Sequence, residues 1–278
     1  MSFIVQDKSN IKYLSIVVIL AVLAAAGIFL YQQNLNKKSQ GQASGLDLAQ
    51  TEEPSVAGTE ESFTCGSSTV QGAGGLTYGT VVGPDGKCWM DRNLGATQVA
   101  VSSTDASAYG YYYQWGRPTD GHQIENSGTT STNADSDTPG HANFITESDY
   151  DSSYDWRVPQ SPNQLTLWAG ANGGSNNVCP TGWHVPTQPE WATVAGYFSS
   201  RTSVGEFNST LKLPLAGLRN RVDAALYNRG SNRSSNGFYW SSSPSGTDAS
   251  YLYFNSVVVN PAGTGNRADG FSVRCIKD

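Results

Sequence analysis

From Gly217 to Arg274 the chain has no Lys, Glu, Gln or Met. In the 216 residues before that stretch the same four types occur 6, 8, 13 and 2 times, so a uniform composition does not account for the gap. The stretch is filled mainly with Asn, Ser, Tyr, Asp, Arg, Gly, Thr, Ala, Phe, Leu and Val, set around a frame of Gly237, Trp240, Ser241, Ser242, Phe271 and Cys275. Every filling type can be encoded by a codon ending in a pyrimidine, whereas Lys, Glu, Gln, Met and Trp cannot. A surface rewritten by mutating the first two letters of Asn-type codons would have this composition. The plainer alternative is a Gly/Ser/Asn-rich β segment that lacks four residue types by chance.

Other absences exclude whole classes of function. Charged residues make up 14% of the chain, the net charge is −6 and no block of Lys/Arg occurs. Nucleic acid is therefore excluded as a partner, because phosphate neutralisation needs a basic face. His122, His141 and His184 are too few and too dispersed for a catalytic metal. Ser241-Ser242-Ser243 lacks the Gly-x-Ser-x-Gly elbow of a hydrolase. No pair of carboxylates suited to glycoside hydrolysis stands out, since Glu190 is assigned to a helix cap. The chain is not expected to be an enzyme.

A run of 19 residues, Tyr13 to Tyr31, apolar but for Ser15, is long enough to span a bilayer and carries an aromatic residue at each end. Lys8 and Lys12 precede it and Lys37 and Lys38 follow it, so charge does not set its orientation. The expected plan is a short cytoplasmic segment over 1–12, an uncleaved anchor over 13–31 and a flexible stalk over 32–62. A cleaved signal peptide ending near Ala24-Ala25-Ala26 is the alternative. The head, 63–278, would then be extracellular.

All four cysteines, Cys65, Cys88, Cys179 and Cys275, follow the apolar run. None has a CxxC or Cys/His metal spacing, and an even count beyond an anchor reads as two disulfides. Cys65–Cys88 and Cys179–Cys275 are the expected pairs; the other pairings stay open.

Within the head, Leu76–Val82 and Lys87–Asp91 flank Gly83-Pro84-Asp85-Gly86, a hairpin signal. Ser161-Pro162-Asn163-Gln164 and Thr187-Gln188-Pro189-Glu190 both have capping-box form with Pro in the first turn. Trp191, Val194, Ala195 and Phe198 continue the second at helical spacing. Short strands are expected at Phe238–Ser242, Ser250–Phe254, Val257–Val259 and Phe271–Ile276. No period of 20–50 residues appears, which excludes a solenoid or propeller. The fold class is α+β, with two short helices and short antiparallel strands.

Five blocks carry a family resemblance. They are Cys88-Trp89-Met90-Asp91-Arg92-Asn93-Leu94-Gly95; Tyr111-Tyr112-Tyr113-Gln114-Trp115-Gly116-Arg117 followed by Trp156-Arg157-Val158-Pro159; Cys179-Pro180-Thr181-Gly182-Trp183-His184-Val185-Pro186-Thr187 with Glu190-Trp191; Tyr239-Trp240-Ser241-Ser242-Ser243; and Gly270-Phe271-Ser272-Val273-Arg274-Cys275. In this order they resemble the Fibrobacter succinogenes major paralogous domain over roughly 63–278. That resemblance implies a C-type-lectin-like head. The same fold is used by proteins diversified by retroelements, in which a reverse transcriptase overwrites the 3′ end of a gene with errors at adenines. The codon-like bias at 217–274 is what such a process leaves.

The resemblance and the bias together imply a membrane-anchored receptor or adhesin, its C-terminal face binding a protein or glycan on another cell or a phage. A fixed carbohydrate-binding or structural surface module is the alternative. The expected contact residues are Tyr227, Asn228, Arg229, Ser231, Arg233, Ser235, Phe238, Ser245, Asp248, Ser250, Tyr253, Asn255, Val257 and Asp269, a Tyr/Ser/Asn mixture typical of paratopes. In Tyr251-Leu252-Tyr253-Phe254-Asn255 one parity should bury and the other face a partner. Trp89, Trp183, Trp191, Trp240, Phe271 and the cysteines are expected to be scaffold. No cofactor is expected. Asp135, Asp137, Asp149, Asp151 and Asp155 could offer hard oxygen ligands to Ca²⁺, but their spacing fits no EF-hand loop and a solvated acidic loop is the expectation.

Overall fold

The computed structural model describes residues 62–147, 154–160, 162–169, 174–200, 202–230 and 235–278. The Tyr13–Tyr31 run and residues 32–61 of the stalk lie outside them. Among the described residues no helix is long and apolar enough to cross a membrane.

Fifteen strands are present among the described residues. The first four are β1 Val70–Gln71, β2 Thr77–Tyr78, β3 Thr80–Val82 and β4 Cys88–Met90. Then come β5 Tyr113–Gln114, β6 Thr129–Thr130, β7 Phe144–Ile145, β8 Trp183–His184, β9 Leu218–Arg219 and β10 Leu226–Tyr227. The C-terminal region supplies β11 Gly237–Ser245, β12 Asp248–Phe254, β13 Val259–Gly265, β14 Gly270–Phe271 and β15 Ile276–Lys277. Two α-helices, α1 Gln188–Gly196 and α2 Ser203–Asn208, complete an α+β head.

The longest strands form one antiparallel sheet in the order β11-β12-β13. Two further sheets, β10-β9-β14-β5 and β3-β4-β15-β8, surround it. Strand β11 is covered on both faces, as its uninterrupted Phe238-Tyr239-Trp240 run requires. Phe238, Trp240 and Ala249 join a cluster with Tyr113, Trp115, Trp168, Trp183 and Phe271. Tyr239, Leu252, Phe254 and Val259 join another with Trp89, Trp191, Val194 and Ile276. Residues of opposite parity thus feed opposite cores, following the two-residue repeat of a strand.

Indole N–H groups tie these cores together, since a buried donor needs an acceptor. Trp115 donates to the Ser241 carbonyl at 2.7 Å, Trp156 to that of Trp115 at 2.7 Å and Trp240 to that of Tyr113 at 2.7 Å. Trp191 donates to the Trp240 carbonyl at 3.1 Å and Trp168 to that of Arg117 at 3.2 Å. Each bond joins segments far apart in sequence, so the tryptophans fix tertiary register as well as filling volume.

The expected disulfides are found: Cys65–Cys88 and Cys179–Cys275, closing separations of 23 and 96 residues. The expected hairpin is found as β3–β4, with Val82 opposite Cys88. The Thr187–Glu190 capping box is complete at the start of α1, each member bonding the other's backbone.

Three expectations are corrected. The strand expected at Phe271–Ile276 divides into β14 and β15, with residues 272–275 between them. Pro162–Thr166 is a short 3-10 segment in place of an α-helix. Gln164, expected to close its capping box, turns its amide to the buried Asp155 carboxylate at 2.8 and 2.9 Å. The second α-helix is α2, downstream, which carries no side-chain cap. The strand expected at Val257–Val259 begins only at Val259. Asn255 Oδ1 accepts the amides of Val257 and Val258 at 2.8 and 3.0 Å, which folds those residues into the β12–β13 turn.

Candidate functional site

Along β12, Leu252 and Phe254 are fully buried while Tyr251, Tyr253 and Asn255 are half-buried. The outward parity therefore belongs to the tyrosines. Their rings are bedded, not free. A Cβ built on Gly263 or Gly265 would fall 2.6 or 2.8 Å from the Tyr251 ring, so those glycines of β13 leave room for the ring to lie against backbone. Tyr253 lies 5.2 Å from Phe238, ring centre to ring centre, and Tyr251 lies 5.8 Å from it. Phe238 packs 5.0 Å from Phe271, which stacks on Trp240 at 4.1 Å. The half-buried tyrosines thus crown an aromatic column that ends in the core.

Polar groups fix the rim. Tyr253 Oη donates to Asn236 Oδ1 at 3.0 Å and accepts from Asn255 Nδ2 at 2.6 Å. Asp269 Oδ1 accepts the Arg221 amide at 3.0 Å. Burial pushes the Asp269 carboxyl up to about 6, with the Arg221 amide and guanidinium pulling the other way. Arg221 in turn lies 4.4 Å over the Tyr154 ring. The resulting surface sets two rigid, amphipathic rings beside Asn and Arg hydrogen-bonding groups, with the buried Asp269 fixing Arg221 from below.

The expected contact residues fall into distinct environments. Tyr253 and Asn255 belong to the face just described. Val257 is 79% exposed in the neighbouring turn. Ser245 and Asp248 are half-buried at the β11–β12 turn. Tyr227 is 45% exposed on β10, where its hydroxyl donates to Asp223 Oδ2 at 2.6 Å. Asn228 holds a left-handed φ of 58°, and its carbonyl accepts the Asn236 amide, linking this segment to β11. Arg229 pairs with Glu125 at 3.0 Å. Ser231 and Arg233 lie outside the described residues.

Among the expected contact residues, Ser235, Phe238, Ser250 and Asp269 are buried. Phe238 lies beneath the tyrosines, and Ser250 has the inward parity of Leu252. Asp269 is held against the Arg221 backbone. The site gains Tyr251, Asn236 and Arg221, which the expected set omits. A signal for Tyr251 was present in its shared parity with Tyr253.

The family-like blocks build the scaffold. Trp89, Met90, Asn93 and Leu94 are fully buried, as are Tyr112, Tyr113, Gln114, Trp115 and Arg117. Gln114 Nε2 bridges the Ile145 and Ala268 carbonyls at 2.8 and 2.7 Å. Arg117 bonds Asp120 at 2.7 Å and the Asn143 and His141 carbonyls at 3.1 Å. His122 is buried, and its pKa falls to about 4, chiefly through desolvation; its Nε2 accepts the Gln114 amide at 3.0 Å. His184 lies between Asp278, 2.5 Å away, and Glu190, 3.1 Å away, a satisfied structural group. Asp137 pairs with Arg157 at 3.0 Å, and Asp155 faces Arg267, Gln160 and Gln164. Asp149 and Asp151 lie outside the described residues. Among the described residues no group of three or more His, Cys, Asp or Glu is placed to hold a metal ion.

The family model described as the Fibrobacter succinogenes major domain matches residues 84–277. No curated protein and no solved structure matches the chain.

Proposed function

Because the chain belongs to the Fibrobacter succinogenes major domain family, we propose that it is a cell-surface binding protein of C-type-lectin-like fold, a receptor or adhesin tethered by the Tyr13–Tyr31 run. Its C-terminal face binds a protein or glycan on another cell or a phage, and that face is diversified by retroelement-directed mutagenesis. The protein carries out no catalysis. The observation that supports this reading most directly is the partition within β12. Leu252 and Phe254 are buried, and the intervening Tyr251, Tyr253 and Asn255 remain accessible in the stretch that lacks Lys, Glu, Gln and Met. Changes at the accessible positions of such a strand leave Leu252 and Phe254, which fill the core on the other side, in place.

The frame of the same region fits this division of labour. Trp240, Ser241, Phe271 and Cys275 are all buried, so substitution there would cost folding rather than alter recognition. The test is deep sequencing of the gene's 3′ end from the source population, read through into flanking DNA. Variation confined to adenine positions of a neighbouring near-repeat, beside a reverse transcriptase gene, is the expected result. An invariant 3′ end with no template repeat overturns diversification and leaves a fixed binding or structural module.

A further inference from the structure

Apart from the aromatic face, the head has a second recess with a different chemistry. It is an open depression of about 580 Å³ lined by Thr104, Ala106, Tyr109, Glu125, Arg229 and Gly230. Its size falls within the roughly 300–1,000 Å³ range of small-molecule sites. The lining comes from three separate segments. One is the 3-10 turn Ala106–Ala108, which Asp105 caps by accepting the Ser107 amide at 3.1 Å. The others are the loop carrying Glu125 and the segment after β10 that carries Arg229 and Gly230.

Tyr109 is only 5% exposed, yet its buried hydroxyl makes no hydrogen bond of accepted geometry. The Gly230 amide faces that oxygen, and an amide N–H can only donate. The phenol's own hydrogen is therefore left without an acceptor, a costly arrangement for a buried hydroxyl unless a ligand supplies one. At the rim Arg229 and Glu125 pair at 3.0 Å but stay 36% and 50% exposed, so each keeps free hydrogen-bonding capacity. Arg229 also interacts with the Tyr112 hydroxyl, which donates to the Ala216 carbonyl at 2.8 Å. That second contact holds the guanidinium in place.

We propose that this depression is a subsite for a neutral polyhydroxylated ligand, one sugar ring of a saccharide, held by Tyr109, Glu125 and Arg229. A ring hydroxyl accepts from the Tyr109 O–H. A second donates to the Glu125 carboxylate and a third accepts from the Arg229 guanidinium. The opposed charges of the rim cancel, which disfavours a charged ligand: an anion meets Glu125 and a cation meets Arg229. The lining sets Ala106 and Tyr109 beside Thr104, Glu125 and Arg229, a mixture of apolar and hydrogen-bonding surface that suits the two-sided chemistry of a sugar ring. The proposal rests on reading the C-terminal region as a binding region, since Arg229 belongs to it.

The test is saturation-transfer NMR on the full chain in a polyoxyethylene detergent, with methyl glucoside, galactoside and mannoside as neutral probes. Glucuronate and glucosamine are the charged probes. At least one neutral glycoside is expected to bind more tightly than either charged sugar. Tyr109→Phe removes only the hydroxyl and is expected to weaken that binding about 3- to 10-fold, the worth of one hydrogen bond. Glu125→Gln is expected to admit glucuronate by removing the repelling charge. Tyr197→Ala, exposed and outside the lining, should leave binding unchanged. Failure of every neutral glycoside, or wild-type binding by both Tyr109→Phe and Glu125→Gln, overturns the subsite. If sugars fail here while exchange of residues 217–274 still changes a protein partner, the subsite falls and the broader binding reading stands.

Discussion

The Tyr253 hydroxyl donates to Asn236 Oδ1 at 3.0 Å and so pins a half-buried aromatic ring of β12 to the start of β11. Asn255 completes the restraint, its Nδ2 donating to the Tyr253 hydroxyl oxygen at 2.6 Å. A side chain held this way has little conformational freedom left to lose. Tyr253→Phe keeps the packing on Phe238 but releases both bonds. It is expected to cost about 0.5–1.5 kcal/mol of stability per lost bond at most, and to weaken partner binding more than a change at exposed Val257. Urea denaturation alongside partner titration measures both effects.

Trp240 occupies the opposite end of the same column. It is fully buried, stacks on Phe271 at 4.1 Å and donates to the Tyr113 carbonyl. Trp240→Ala removes the ring and leaves that carbonyl unpaired, so a loss of about 3–5 kcal/mol is expected. Tyr251→Ala, half-buried at the surface, should cost clearly less. Equal losses at the two positions by chemical denaturation would contradict the division between frame and face.

The Cys179–Cys275 bridge closes the longer loop, 96 residues against 23 for Cys65–Cys88. In the chain-entropy account the longer loop contributes about 4–5 kcal/mol and the shorter about 3. A Cys179→Ala/Cys275→Ala double variant is therefore expected to lower stability more than Cys65→Ala/Cys88→Ala. Thermal unfolding of the two double variants under identical buffer decides the order.

The features legible in the sequence were those with local causes. The capping box at Thr187 and Glu190, the Gly83–Gly86 hairpin and the alternation of β12 each depend on neighbours within a few residues. The buried contacts were harder to read, because burial depends on what covers a strand. Ser250 and Tyr253 sit at opposite parity, so they could not both face outward, but only the tertiary fold selects which one does. The helix α2 was illegible for a related reason. It has no side-chain cap and contains Gly205, and it is anchored by the Ser203 amide on the Asn255 carbonyl at 2.7 Å, a contact 52 positions away in the chain. The Tyr109 depression draws its lining from three distant segments and left no mark at all in the sequence pattern.

Glu206, in α2, is fully buried and neither carboxylate oxygen has a hydrogen-bond partner. Burial pushes its pKa up from 4.5 to about 8. The folded state therefore holds the proton more tightly than the unfolded chain. The associated stability is present in full below pH 4.5 and is lost as pH rises through about 8. Glu206→Gln cannot ionise, so its stability should fall less than that of the wild type over the same interval. Parallel profiles of the two proteins would show that Glu206 is not the titrating group.

The cluster around His184 has a pH dependence of two signs. Glu190 accepts from Lys87 at 2.8 Å, from the Thr187 amide at 2.9 Å and pairs with His184, which together depress its pKa despite the opposing effect of burial. Its contribution is present above the unfolded value of 4.5 and is lost as pH falls. His184 is raised by Glu190 and Asp278 against desolvation, so its contribution is present below 6.5 and is lost as pH rises through the elevated value. Both terms therefore operate together between 4.5 and 6.5. His184→Gln keeps a polar side chain but removes the titrating charge. Its stability deficit against wild type is expected to be larger at pH about 5.5 than at about 8.5. Glu206 titrates identically in both proteins and cancels in that difference. Because His184 and Lys277 lie on paired strands that also carry the chain toward Asp278, the deficit should appear as earlier release of β15 from β8. Hydrogen exchange at the Asp278 amide, which donates to the Gly182 carbonyl at 3.1 Å, tests this: unchanged protection in His184→Gln at the lower pH would show that the imidazolium does not secure the strand pair.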